Sequence, residues 1–442
     1  NGLLCIGFIF NMGERMRKGT MSFEKNSLLL LFFSIASSLC NYLFQVTTGN
    51  LLSEVDYGNA NALLSLSVIL SVPTALFTVL SSKYTTNYLT TEQPGFAAKW
   101  VLRLEKIALF CALGTVLAGA LLSGPVASVL KFENRWFVFA AFALTAVNYL
   151  SCPVVGALQG SKRFLHYGVA NLIASGVKFL GSILFLVIGL RLMGVIFALA
   201  LGTILATVFA AVTLGKSFLA LRSTDPLPQE SGLKRYITGA LLVQFCNAVL
   251  SNGDMLLVKA YATTAADAGV YSSAMVIGKI PLYVAGTLVA VLFPMVAEAV
   301  VRREATKKLF LKSMLYSGGI AVAFAVFLQL FGSFVFRLMF GERYATALPL
   351  LLPISIFIVF VTLITVEMNY FLAMGRNRML VASLLAGFAA IYALVSVFHA
   401  SITQMIYVIS GVLAIVFVVN AVYGLLLKPQ ADAPNVALPG AE

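Results

Sequence analysis

Lys178 and Lys279 each lie inside a segment that is otherwise apolar. An ammonium group placed in hydrocarbon costs about 2.5–3.5 kcal/mol on insertion scales, so each lysine should face a wet cavity or a partner. Asp254 and Glu367 lie within two further apolar segments. Two readings of these acids stay open. They couple transport to an ion, or they neutralise the lysines, Lys279 or Lys259 with Asp254 and Lys178 with Glu367. Uncharged amides accompany them. Asn41 and Gln45 are four apart, and so on one helix face. Gln244, Asn247 and Asn252 share a later segment, and Asn148 precedes Tyr149. Such groups suit sugar hydroxyls and ring faces, and equally well hydrogen bonds between helices, worth about 0.6 kcal/mol each. Pro281 follows Lys279 by two residues. Its missing N–H predicts a kink beside an intramembrane charge, where a gating helix would need one.

Other chemistries lack their residues. No Walker A sequence is present, and no paired carboxylates or Ser/His/Asp set stand out. Cys40, Cys111, Cys152 and Cys246 sit in apolar segments and Cys5 near the start, with no CxxC. They are expected to be small buried hydrophobes. His166 and His399 stand alone. No metal, cofactor or enzymatic activity is therefore expected.

The elements that position these residues are apolar spans. The 442 residues are 60% hydrophobic and 11% charged, too depleted in charge for a soluble domain of this size. About twelve spans follow one another: Ser27–Thr48, Ala60–Leu80, Leu104–Ser123, Trp136–Ala157, Gly168–Leu190 and Gly194–Leu214, then Tyr236–Leu257, Tyr271–Ala297, Ser313–Val335, Ala347–Leu372, Met379–Phe398 and Ile402–Leu427. Each is about 20 residues or longer, enough to cross a ~30 Å hydrocarbon core. The predicted fold is an all-α polytopic membrane protein.

Basic residues alternate from gap to gap. The N-terminus and every second gap hold most of the 30 Lys and Arg, while the intervening gaps hold only Lys131, Arg135, Arg191, Lys259, Arg337 and Arg343. The positive-inside rule then puts both termini in the cytoplasm. The net charge of +13 belongs to these loops and to anionic headgroups, not to a nucleic-acid partner.

The two sets of six spans align at a shift of about 210 residues. Asp56-Tyr57-Gly58 matches Asp267-Ala268-Gly269; Gly124, Leu130 and Phe132 match Gly332, Leu338 and Phe340; Gly160 and Arg163 match Gly375 and Arg378. Six spans per repeat make the repeats parallel, with a site expected between them near mid-bilayer. At the shift of 211 set by Asp56 and Asp267, Asn41 maps onto Asn252. The predicted organisation is a leader at 1–26, bundles at 27–214 and 236–427, a linker at 215–235, and a disordered Pro/Ala-rich tail at 428–442. Residues 1–20 are expected to be a flexible leader or an upstream extension, because Met21 opens a more convincing start. The loops are too short for an extramembrane catalytic domain.

Asn252–Ala299 carries an N-x-D-x-x-hydrophobic-x-K element, then A-G-x-Y, then L-F-P. Val154–Gly189 carries a G-x-x-Q-G-x-x-R-F turn, and Leu52–Leu66 a D-Y-G turn. These resemble helices seven and eight, helices four and five, and the first outer turn of the polysaccharide-transporter branch of the MATE/MOP flippase superfamily. The resemblance covers essentially Met21–Lys428. It implies a Wzx-like flippase that moves undecaprenyl-diphosphate-linked oligosaccharide across the membrane by alternating access. Its cationic lumen would receive the diphosphate, with Lys178 and Lys279 in that role. A polysaccharide polymerase and other assembly proteins are the further partners it implies. A cation-coupled MATE-like exporter of small molecules or drugs is the alternative. The drug-exporting branch commonly carries an acid in helix one, and Ser27–Thr48 has none.

Overall fold

The computed structural model describes residues 23–215, 218, 233–284, 292, 295–296, 299 and 306–426. The expected leader, linker and tail lie wholly or largely outside the described residues, as does the end of the expected span Tyr271–Ala297. Within the described residues there are thirteen α-helices and one 3-10 turn, and no strand. Helices are the only open-chain solution in hydrocarbon, because each must satisfy its own backbone N–H and C=O groups.

The first half comprises α1 (Phe23–Leu51), α2 (Glu54–Leu70), α3 (Val72–Thr90), α4 (Pro94–Val129), α5 (Arg135–Gly160), α6 (Phe164–Val187) and α7 (Arg191–Leu214). The second comprises α8 (Leu233–Tyr261), α9 (Asp267–Gly278), α10 (Lys307–Phe340), the 3-10 turn Ala345–Leu350, α11 (Leu351–Ala373), α12 (Arg378–Val397) and α13 (Ile402–Leu426). Ten of the spans are long and apolar enough to cross a membrane singly, and α2 with α3 pass together as a pair bent by 50°. The protein is a multi-pass membrane protein whose spans follow the hydropathy pattern in order.

The bend was not legible as a span boundary. It falls at Ser71 (φ −83, ψ 7), two residues before Pro73. Pro73 has no N–H to give to the turn behind it, so the helix breaks there. In the second half α9 ends the same way. Lys279 (φ −77, ψ −5) caps it two residues before Pro281, and helix resumes over 280–284. The two breaks are 208 residues apart and so stand at matching points of the two halves.

Helix ends fix the repeat register better than loop motifs do. The last turns of α1 and α8 close with Leu52 N–H to Thr48 O (3.0 Å) and Ala262 N–H to Val258 O (2.8 Å), a shift of 210. After α5, Lys162 takes the left-handed conformation (φ 57) and Arg163 N–H bonds Leu158 O. After α11, Gly375 does so (φ 67) and Arg376 N–H bonds Phe371 O. Lys162 therefore corresponds to Gly375. This corrects the sequence alignment, which matched Gly160 with Gly375. Gly160 instead serves packing. With Gly156 it forms a small-xxx-small face on which a Cβ would collide with Thr78 O and Ser82 O, so α5 lies directly on the α3 backbone.

Inside the first half α1 packs on α6, α6 on α7, α4 on α5, and α5 on α3 and α7. Inside the second, α10 packs on α11 and α13 on α11 and α12. The halves meet through α2 against α8 and α9, α3 against α8, and α1 against α9 and α10. The face carrying the α1–α2, α4–α5, α8–α9 and α10–α11 turns is called the basic-poor face below, and the opposite one the basic-rich face.

Candidate functional site

Lys178 emerges half-buried from α6 and donates to Asn41 Oδ1 on α1. Its ammonium also sits 4.5 Å from the centre of the Phe44 ring, a cation–π contact. Asn41 and Phe44 are three apart, so both present to α6 from one face of α1. One turn beyond Asn41, Gln45 Oε1 is buried with no hydrogen-bond partner.

Lys279 stands at the break after α9 and donates to Ser251 O of α8 at 2.7 Å. The shift of 210 makes Ser251 the counterpart of Asn41, where the loop motifs had pointed to Asn252. Asn252 instead turns its amide onto its own helix, at Ala248 O (3.1 Å). The two lysines come from non-equivalent helices, yet they are tethered to equivalent positions of α1 and α8. Asn41 lies ten residues before the end of α1 at Leu51, and Ser251 ten before the end of α8 at Tyr261. At 1.5 Å per residue both tethers are roughly 15 Å below the basic-poor end of their helices. The sequence suggested that Lys178 lies about ten residues from the basic-rich side. It lies further, because α6 begins at Phe164, one turn before the apolar span does.

The acids do not take lysines as partners. Asp254 is 5% exposed, and its Oδ2 accepts from Tyr271 OH at 2.5 Å while Oδ1 is buried without a partner. Lys259 instead lies 5.3 Å over the Phe132 ring. Glu367 is fully buried, and neither carboxyl oxygen has a hydrogen-bond partner. Asn420 of α13 is fully buried too, with Nδ2 unpartnered and Oδ1 accepting from Ser383 (3.0 Å). Glu367 stands one turn before Phe371, and Asn420 one turn before Gly424. Phe371 and Gly424 are in contact, so the acid and the amide lie on facing rows of α11 and α13.

Asn148 is engaged within the first half, accepting from Thr203 of α7 at 3.4 Å. Gln244 and Asn247 are half-buried on α8, between the tether at Ser251 and the basic-rich face. Pro281 lies just beyond the break that carries Lys279. Sequence reasoning missed Ser251, Phe44, Tyr271 and Asn420. A helix-end alignment would have found Ser251. Tyr271 is the aromatic of the A-G-x-Y pattern. Nothing in the sequence distinguishes Asn420 from other isolated intramembrane amides.

Chemically, Lys178 and Lys279 offer two ammonium groups, one held by an amide oxygen on α1 and the other by a backbone oxygen on α8. Among the described residues no cluster of His, Cys, Asp and Glu could hold a metal.

The polysaccharide biosynthesis protein family matches the chain over residues 106–349, more than half its length. No curated protein sequence matches it. Among solved structures it is similar to a multidrug resistance MATE family transporter of the MOP superfamily. The inward-facing conformation superposes with a TM-score of 0.74 at 14% identity, covering 90% of this chain and 97% of that one. The outward-facing conformation gives 0.64 at 14% identity, over 90% and 93%. A MOP superfamily transporter from Pyrococcus furiosus, described as having a binding pocket of reversed polarity, gives 0.58 at 13% identity, over 90% and 93%. The fold is that of MATE/MOP transporters.

Proposed function

The chain belongs to the polysaccharide biosynthesis protein family, and on that premise we propose that it is a flippase for a lipid-linked oligosaccharide. The observation that carries this reading is the pair of lysines tethered to equivalent positions of α1 and α8. A lipid diphosphate must leave water to cross the bilayer. Ammonium groups fixed at one depth replace part of its lost hydration with charge-assisted hydrogen bonds. Tethers to Asn41 and Ser251 hold each ammonium in place yet leave it protons to give to phosphate oxygens. Gln45, Asn148, Gln244, Asn247 and Asn252 are the amides assigned to the sugar. In this reading the protein sits in the cytoplasmic membrane with both termini inside, the lipid is undecaprenyl diphosphate, and turnover is by alternating access.

A second reading, a cation-coupled exporter of small molecules, is favoured by Glu367, a buried carboxyl without a partner. The same acid would serve as the coupling group of a flippase, with Asp254 beside Tyr271 as its companion. The test is surface glycan in a flippase-null host. Complementation by the wild-type chain and loss of it in Lys178→Ala and Lys279→Ala, at matched membrane expression, support the flippase. Wild-type glycan levels in both variants sink the cationic site.

A further inference from the structure

Six basic residues stand on the basic-poor face against the charge rule, and the structure gives two of them matching work. Lys131 follows α4 in the left-handed conformation (φ 53) and donates through Nζ to Ala262 O at 2.9 Å, the carbonyl just past the end of α8. Arg343 follows α10 and donates through Nη1 to Asn50 O at 3.0 Å, in the last turn of α1. α4 and α10 are the counterpart third spans of the two halves, and α1 and α8 the counterpart first spans. Each half therefore places a cation on the first-helix C-terminus of the other.

We propose that these two contacts form a two-fold latch that holds the halves closed on the basic-poor face. The last carbonyls of a helix have no partner within it and carry the negative end of its dipole, so a cation is the fitting cap. On the α1 side the latch is reinforced. Tyr344 OH donates to Gly49 O at 3.0 Å, and Asn50 Nδ2 donates back to Met339 O at 2.8 Å, in the last turn of α10. Every one of these bonds crosses between the halves. All involve carbonyls that water can satisfy once the halves part, so the latch opens without stranding a buried polar group. Arg337 takes no part, pairing with Glu342 of its own loop at 3.0 Å. The latch rests on the alternating-access reading for its purpose, but its geometry does not depend on which substrate moves.

The test uses the full chain in lipid nanodiscs, in a background without native cysteines. Spin labels go on Glu133→Cys in the first half and Thr346→Cys in the second, and the distance between them is measured by pulsed dipolar spectroscopy. The latched wild-type chain is expected to show one short-distance population. Lys131→Ala with Arg343→Ala should add a longer one, raising the parted fraction roughly tenfold, with each single variant between. Lys131→Arg should keep the short distance. A double variant whose distances equal those of the latched chain overturns the proposal; should the double variant not fold, unchanged distances in both single variants do the same. No substrate enters this measurement. Parted halves without glycan export in any variant would leave the latch standing and remove the flippase reading.

Discussion

The Lys178 ammonium has three protons and one of them goes to Asn41, with the Phe44 ring beneath. Replacing it with Ala removes the charge and leaves Asn41 without its donor. Lys178→Ala and Lys279→Ala are expected to cut glycan export at least tenfold at matched expression. Lys178→Arg should retain part of it, because a guanidinium can also stack on Phe44 and donate to Asn41. Asn41→Ala should give an intermediate loss, since the charge remains while its position is freed. Glu367→Gln keeps the volume of a fully buried side chain and removes its ionisable group. Export by this variant should no longer respond to collapse of the proton gradient, while expression is maintained; a full response in Glu367→Gln would remove the acid from the coupling. That both lysines stand inside apolar spans was visible from hydropathy alone. Their partners were not, because charge counting pairs cations with anions. The fold instead offers each lysine the oxygen of an amide or of a helix backbone. A lone carboxyl such as Glu367 cannot be told from a paired one until the facing helix is known.

At the scale of elements, the spans were legible because a bilayer demands about twenty apolar residues and punishes every exception. Their ends were not, since α4 and α10 run on for 36 and 34 residues, past the hydrocarbon and into basic loop sequence. The breaks are the more informative elements. Ser71 with Pro73 and Lys279 with Pro281 interrupt the second span of each half at matching points. Pro281 was readable as a kink beside a charge. Pro73 was passed over because no charge accompanies it. Pro281→Ala restores an N–H that can bond Ile277 O and should straighten the segment carrying Lys279. Slower export with substrate binding preserved is expected, and Pro73→Ala should act in the same direction more weakly, as no site residue sits at Ser71. Equal turnover of Pro281→Ala and wild type would mean the bend is fixed by packing and not by the proline. Gly160→Leu is a control of another kind. A side chain there must push α5 off the α3 backbone, so membrane expression itself should fall.

For the whole molecule, the duplication decides where the halves can touch. Gly58 and Gly269 were matched as counterparts on sequence, and in the fold they lie against each other where α2 crosses α9. A Cβ on Gly58 would be 2.6 Å from Gly269 N, and one on Gly269 would run into Glu54 O. The collision is with backbone in both cases, so neither can be relieved by a rotamer change. Charge counting gave the orientation of this contact as extracytoplasmic. Cysteines in the Asp56 and Asp267 turns should accordingly react with impermeant reagents from outside, and those in the Lys162 and Arg376 turns only from the cytoplasm. Reaction of the Asp56 and Lys162 turns from one side would dismantle the topology. The contact also makes a sharper prediction. Gly269→Ala wedges the halves at the basic-poor face without touching either lysine, so it should raise reagent access to α1 from that face while each bundle stays folded. Gly114→Ala is the matched control, because nothing lies within 4 Å of the added methyl and the same substitution should there be silent. Equal access in the two variants would place the closing contact elsewhere, since a methyl that must displace the Glu54 backbone cannot leave a tightly closed interface unchanged.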